Sequence, residues 1–346
     1  MSIVVLKLPE VKVEVERPTQ CPACKGETFQ RWGGQVRQIR DPQVKEVMVY
    51  RYRCCACRHT FRHYPAGVDR AQQSQRLRKL AALTWLLGLS YRGIAAVFEV
   101  FGVNLSRMSA WWDVQNWGKQ LRKQRQWQPV RVLGLDGAYV LGWGAKQKVL
   151  IAVDLGTGQP VRIGYVDEHD PQAVKRWLEP IVQQLGVSVI VSDDLTTYRV
   201  VAEKLGLEHQ VCQFHVRRWV GKELKNLRDT VPEAWLWVVD EIKTILTDLA
   251  PAGSRRLLDL YKQLPARQSA IDQPHTPLDR LRWLLIRLSE HWHRYRVFDW
   301  HKDVPWTNNG SEQVIGKMKI RSRTVRGYKS AQGMLNALMV TGSGVC

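Results

Sequence analysis

The chain has 346 residues, enough for two or three domains that each bury a core. Lys plus Arg number 52 and Asp plus Glu 32, a net charge of +20, while 45% of the residues are apolar. That balance excludes a mostly disordered basic tail protein, and no run approaches the ~18 to 20 uncharged apolar residues of a membrane span. The first residues hold too short an apolar run for a signal peptide. A soluble, basic chain of this kind takes a polyanion as partner, with nucleic acid first among them.

In chain order, residues 1–16 alternate apolar and charged side chains and predict a strand. Five of the seven cysteines follow between positions 21 and 57. Cys21-Pro-Ala-Cys24 and Cys54-Cys-Ala-Cys57 are two knuckles about thirty residues apart, joined by a predicted strand at 46–53. Two such turns close a tetrahedral four-thiolate site that suits one structural Zn²⁺. Cys55 is the alternate to Cys54 if the register differs, and His59 and His63 are the substitutes nearby. A module of some fifty residues buries little core, which makes a metal staple valuable.

Residues 70–128 read as basic and helical, with ten Lys and Arg against Glu99 and Asp113. The period predicts a first helix at 75–88 with Leu77, Leu80, Ala81, Thr84 and Trp85 on one face. Ser90 caps a second, with Ile94, Val97, Phe98 and Phe101 inward, and Gly102 supplies the tight turn. Ser106 caps a third, carrying Arg107, Ser109 and Trp112. That is a helix-turn-helix pattern, whose third helix enters the major groove; an ordinary small helical bundle is the bland alternative.

From residue 129 the order is strand 130–140, strand 147–154, strand 160–167, helix 171–185, strand 187–193, helix 196–205 and a short strand at 209–214. This is the order of a ribonuclease-H-like fold, in which the first and fourth strands lie side by side. Asp136 interrupts an apolar strand, where an ionised carboxylate costs several kcal/mol unless it is paired or metal-bound. Asp193 ends the fourth strand with Asp194 as its rival, so two carboxylates converge on one cation. Glu312 is the third acid. Its rival reading is a capping box with Asn309, but the acid-free basic run after it (Lys317, Lys319, Arg321, Arg323, Arg326, Lys329) would hold phosphates.

These pieces resemble a DDE transposase of a bacterial insertion sequence. The matching segments are LGLDGAYV around Asp136, VIVSDDLTTY around Asp193, Cys212-Gln-Phe-His215, and TNNGSEQVIGKMKIRSR around Glu312. The C-x2-H motif, followed by a helical stretch before the Glu, is similar to the Mutator-like and hAT-like branch. The resemblance implies a multidomain α/β chain: a zinc ribbon at 1–68, a helix-turn-helix at 70–128, a ribonuclease-H-like catalytic domain from 129–215 and 305–346, and an all-helical insertion at 216–304. It implies that Asp136, Asp193 and Glu312 bind two Mg²⁺ (or Mn²⁺), cut transposon ends and join the 3′-OH to target DNA. It favours Cys212, His215 and Asn309 as structural residues near the active site, with a second metal pair at Cys212 and His215 as the alternative; Trp235, Trp237, Trp283, Trp292 and Trp300 in the insertion are expected to be mostly core. Double-stranded DNA is the implied partner, with a homodimer or higher assembly on it, no membrane, and a cytoplasmic, nucleoid-associated location in a prokaryote. The alternatives are a domesticated relative that binds DNA without strand transfer, and a ribonuclease-H-like nuclease.

Overall fold

In a computed structural model the described residues are 8–124, 129–142, 145–266, 276–325 and 327–344, which leaves Arg326 and 125–128 outside them. They fall into two compact units. No helix among them is long and apolar enough to cross a membrane.

One unit starts with an antiparallel sheet of β1 (Phe29–Gln38), β2 (Glu46–Cys54) and β3 (Thr60–His63) in that order. Of the strand expected at 1–16, residues 1–7 lie outside the described residues and residues 8–16 form no strand; Val11 is buried and Val13 is exposed. Three helices follow, α1 (Gln75–Leu86), α2 (Tyr91–Val100) and α3 (Arg107–Gln124). Ser74, Ser90 and Ser106 accept the first-turn N–H groups of Leu77, Gly93 and Ser109, satisfying donors a helix start leaves open. Leu77, Ala81, Trp85, Ile94 and Phe98 are buried together. Val97 and Phe101, expected inward, are exposed. Phe101 caps the helix, and Gly102 at φ +69° turns the chain there, so helical period no longer governs it.

The C-terminal helix α12 (Ala331–Ser343) completes this core through Ala337 and Val340. It lies so close to α3 that a Cβ on Gly118 would overlap the Asn336 backbone. Residues 317–344 belong to the same compact unit as the N-terminal helices. Asp41 ties the ribbon to α1: buried, it accepts from Ser74 Oγ at 2.5 Å and from Nε and Nη2 along one edge of the Arg76 guanidinium.

The other unit holds a five-stranded sheet of β4 (Val132–Leu141), β5 (Lys146–Asp154), β6 (Gln159–Gly164), β7 (Val189–Ser192) and β8 (Glu208–Val211). Its order is β6-β5-β4-β7-β8, so the first and fourth strands are neighbours as expected, and they run parallel. Asp154 caps its own turn through Gly156 N and Thr157 Oγ1. Strand alternation gives β4 two different faces. Leu133 and Leu135 pack with Leu178 of α4 (Pro171–Leu185) and Tyr198 of α5 (Thr196–Leu205). Val132, Val189 and Val191 face Val297 and Val304.

After β8 every described element up to residue 308 is helical: α6 (Gln213–Arg228), α7 (Leu236–Asp248), α8 (Gly253–Gln263), α9 (Pro277–Glu290), α10 (Val297–Trp300) and two short 3-10 turns. They have their own core around Val220, Ile242, Leu257 and Leu285. Trp292 is buried there, but Trp237, Trp283 and Trp300 are exposed and so are not the core residues they were expected to be. Helix α11 (Asn309–Thr324) follows and carries Glu312 in its first turn.

Candidate active site

Asp136 lies inside β4 and Asp193 directly after β7, so the parallel pairing of these strands sets the two acids side by side. Glu312 comes to the same place through glycine. Gly134 shares its strand face with Asp136, and a Cβ there would overlap Ser311 Oγ and lie 2.7 Å from Asn308 Oδ1. The bare backbone lets the start of α11 rest on β4. Asn308 fixes the contact by donating its side-chain amide to Leu135 O at 2.9 Å. Asn308, not the expected Asn309, immediately precedes the helix; Asn309 is exposed at its first position. Glu312 Oε1 is buried without a hydrogen-bond partner, so it is not spent on a cap.

A fourth acid was not foreseen. Glu168 follows β6, and a Cβ on Gly137 would overlap its carboxylate. Tyr198, itself buried, donates its hydroxyl to Glu168 Oε2 at 2.9 Å. Sequence offered one signal only: Gly137 directly after Asp136, in the interior of a strand where glycine is costly unless something needs the space.

The four carboxylates feel one another. Burial first, then the charges of Asp193, Glu168 and Glu312, push the Asp136 carboxyl up to about 7, against a smaller opposing pull from His215. Burial and Glu168 raise Asp193 likewise. Asp193 Oδ1 is buried with no donor. Carboxylate oxygens are acceptors only, so this gathering lacks positive charge. The donor set is all hard oxygen, the ligand type that Mg²⁺ and Mn²⁺ prefer. Asp194 is engaged elsewhere: Arg287 of α9 donates to it at 2.7 Å, and that guanidinium lies over the Trp219 ring at 4.5 Å.

Cys212 and His215 sit at the start of α6. The buried Cys212 Sγ accepts the Asn308 N–H at 3.3 Å, which steadies the approach to α11. His215 Nε2 is 3.8 Å from Glu312 Oε1, and its hydrogen bond to Cys212 raises the imidazole pKa.

In the ribbon, Cys21, Cys24, Cys54 and Cys57 bring all four Sγ atoms within 4.8 Å of one another, and Cys55 is exposed outside the cluster. Cys21–Cys57 and Cys24–Cys54 are 3.7 and 3.5 Å apart. Zinc–sulfur bonds of ~2.3 Å give a tetrahedron edge of about 3.8 Å, so the cluster fits zinc as it stands. Backbone N–H groups of the second knuckle bring the Cys54 thiol down to about 7, while neighbouring thiols push Cys57 up to about 12. Four thiolates need a cation to coexist.

Among the residues expected to touch DNA, Arg107 and Trp112 are exposed, Ser109 is half-buried, and Lys317, Lys319 and Arg323 are exposed. Arg321 is not available to a phosphate. It is 4% exposed, donates to Leu89 O at 2.9 Å and to Gly88 O, and lies over the Trp85 ring at 4.5 Å. Helical spacing explains why: Val314, Met318 and Arg321 lie on the buried side of α11.

Residues 165–336 match the model of the IS66 family of transposases, a span that takes in Glu168, Asp193 and Glu312 and begins after Asp136. An uncharacterized 48.3 kDa protein of insertion element ISM1 from Methanobrevibacter smithii is 20% identical over 338 residues, covering 92% of this chain and 80% of that protein. Two solved structures are similar at lower levels. The Drosophila P element transposase in its strand transfer complex has a TM-score of 0.39 and 11% identity, over 76% of this chain and 90% of that chain. The catalytic core domain of BIV integrase has a TM-score of 0.20 and 17% identity, over 46% of this chain and 96% of that chain. The family match and the insertion-element relative together support a transposase of an insertion sequence.

Proposed function

We propose that this chain is a DDE-type DNA transposase that cuts the ends of an insertion sequence and joins the freed 3′-OH to target DNA. The observation that carries the reading is the gathering of Asp136, Asp193 and Glu312 from three separate elements, with Glu168 beside them. These residues would hold Mg²⁺ or Mn²⁺. Two such ions, when bound, activate the attacking oxygen and stabilise the leaving oxygen.

The chain's own residues prepare that site. Asp136 keeps its proton near neutral pH until a cation offsets its neighbours. Tyr198 fixes Glu168, Asn308 fixes the start of α11, and Arg287 keeps Asp194 turned aside. The four-cysteine cluster would hold one structural zinc. Helices α1 to α3 would act as a helix-turn-helix, with Arg107, Ser109 and Trp112 of α3 reading the element's end. Lys317, Lys319 and Arg323 would bind backbone phosphates. Cys212-x2-His215 and the helical stretch before Glu312 favour the Mutator-like and hAT-like branch, working as a dimer or larger assembly on paired DNA ends.

The test is cleavage and strand transfer on the element's own ends with Mg²⁺ or Mn²⁺. Asp136→Asn is expected to abolish both while leaving DNA binding intact. Activity retained in that variant refutes the reading.

A further inference from the structure

A group of side chains with the ligand types of a metal site lies next to the carboxylates and differs from them in chemistry. Cys212 Sγ, a ring nitrogen of His215 and a carboxylate oxygen of Glu312 all lie within 4.8 Å of one another. A thiolate and an imidazole are poor ligands for Mg²⁺ and good ones for zinc-class ions. Tetrahedral zinc with these ligand types needs ligand separations of about 3.3 to 3.6 Å, so side-chain adjustments of about 1 to 1.5 Å close the set. The His215–Glu312 separation is 3.8 Å, about half an ångström above the lower end of that range. Cys212 is buried, and the Asn308 N–H at its Sγ is the kind of donor that the ribbon knuckles aim at their own sulfurs. Glu312 Oε1 and His215 Nδ1 are buried and lack hydrogen-bond partners.

We propose that Cys212, His215 and Glu312 form a second zinc-class site, separate from the four-cysteine cluster. Three protein ligands bind one divalent ion, and the Cys212 thiol proton is released to solvent on binding. The fourth position stays open to water. Glu312 is common to this site and to the hard-cation cluster, so zinc bound here draws it away from Asp136 and Asp193. Zinc is then an inhibitor of the Mg²⁺-dependent reaction, a consequence that rests on the transposase reading; the binding itself does not.

The experiment counts metal in the full-length chain by mass spectrometry after zinc loading and gel filtration. The wild type is expected to hold two zinc ions, and Cys212→Ser, His215→Ala and Glu312→Gln one each. Co²⁺ in place of zinc reports the thiolate through its charge-transfer band, whose Cys212 share is lost in Cys212→Ser. Glu312→Gln alters a half-exposed side chain and keeps the test decisive if Cys212→Ser does not fold. A single zinc in the wild type overturns the proposal, as does a count of two retained in Glu312→Gln. Asp136→Asn separates the two readings, since it removes end cleavage and leaves the count at two. Two ions in the wild type and one in the variants, with no cleavage by any of them, uphold the site and sink the transposase reading instead.

Discussion

Replacing Asp136 by Asn removes the costliest charge in the site, and the effect on stability has a definite sign. In the unfolded chain the carboxyl titrates at its ordinary 3.8, and in the folded, cation-free chain at about 7. Between those values the folded state holds a proton that the unfolded state has lost. Stability therefore falls as pH rises through that window, with the full deficit present above it. The displacement is worth at most about 4 kcal/mol. Allowing for water that reaches the partly open site, we take about 2 kcal/mol, which for a unit of this size is roughly 4 to 8 °C in melting temperature. Asn carries no charge, and its amide donates to the acids around it. Melting should be followed in Mg²⁺-free buffer at both ends of the window, without a chelator that strips the four-cysteine cluster. Asp136→Asn is expected to melt above the wild type at pH 8 and level with it at pH 4. Millimolar Mg²⁺ should close the gap by stabilising the wild type alone. A variant that melts at or below the wild type at pH 8, or a gap independent of pH, would falsify the mutual repulsion inferred for the cluster.

Gly137→Ala should push the Glu168 carboxylate away and weaken Mg²⁺-induced stabilisation, at a folding cost of about 1 to 3 kcal/mol; calorimetric Mg²⁺ titration checks it, and unchanged affinity refutes a part for Glu168. Lys317→Ala, Lys319→Ala and Arg323→Ala should each lower the salt slope of DNA binding by about one. Arg321→Ala should leave that slope alone and instead destabilise its helical core by about 2 to 3 kcal/mol, because the carbonyls of Gly88 and Leu89 lose their donor. Cys54→Ser should release the ribbon zinc and unfold β1 to β3, seen as lost zinc and faster proteolysis before residue 64, with the sheet unit unaffected.

Much of the sheet is legible because its strands are apolar runs cut by turns, and Asp136 stands out as a charge where none is cheap. Helix α4 is met at both ends, since Asp170 caps it, Pro171 opens it and Gly186 closes it in the left-handed region. Glu168 is hidden for the opposite reason. It sits among Asp167, His169 and Asp170 in a polar loop, and only Gly137 and Tyr198, each about thirty residues away, single it out. Arg321 looks like one more cation in a basic run until the helical period is laid over it. Phe101, Trp237 and Trp300 mislead because a large apolar side chain next to a turn or a helix end need not reach a core, and Trp283, inside α9, has the Arg287 guanidinium over its ring instead. The partner of Asp194 is equally out of reach, because Arg287 is 93 residues away in the helical stretch.

The buried Asp41 bears on how portable the N-terminal region is. By motif, the ribbon and the three helices are two separate parts. Asp41 belongs to the first by sequence, yet Ser74 and Arg76 of the second hold its carboxyl down to about 2 against the cost of burial. A chain severed between residues 64 and 73 would leave a sealed carboxylate on one fragment and an unmatched guanidinium on the other. The ribbon and the helices depend on each other at this joint, and a graft made here must bring both.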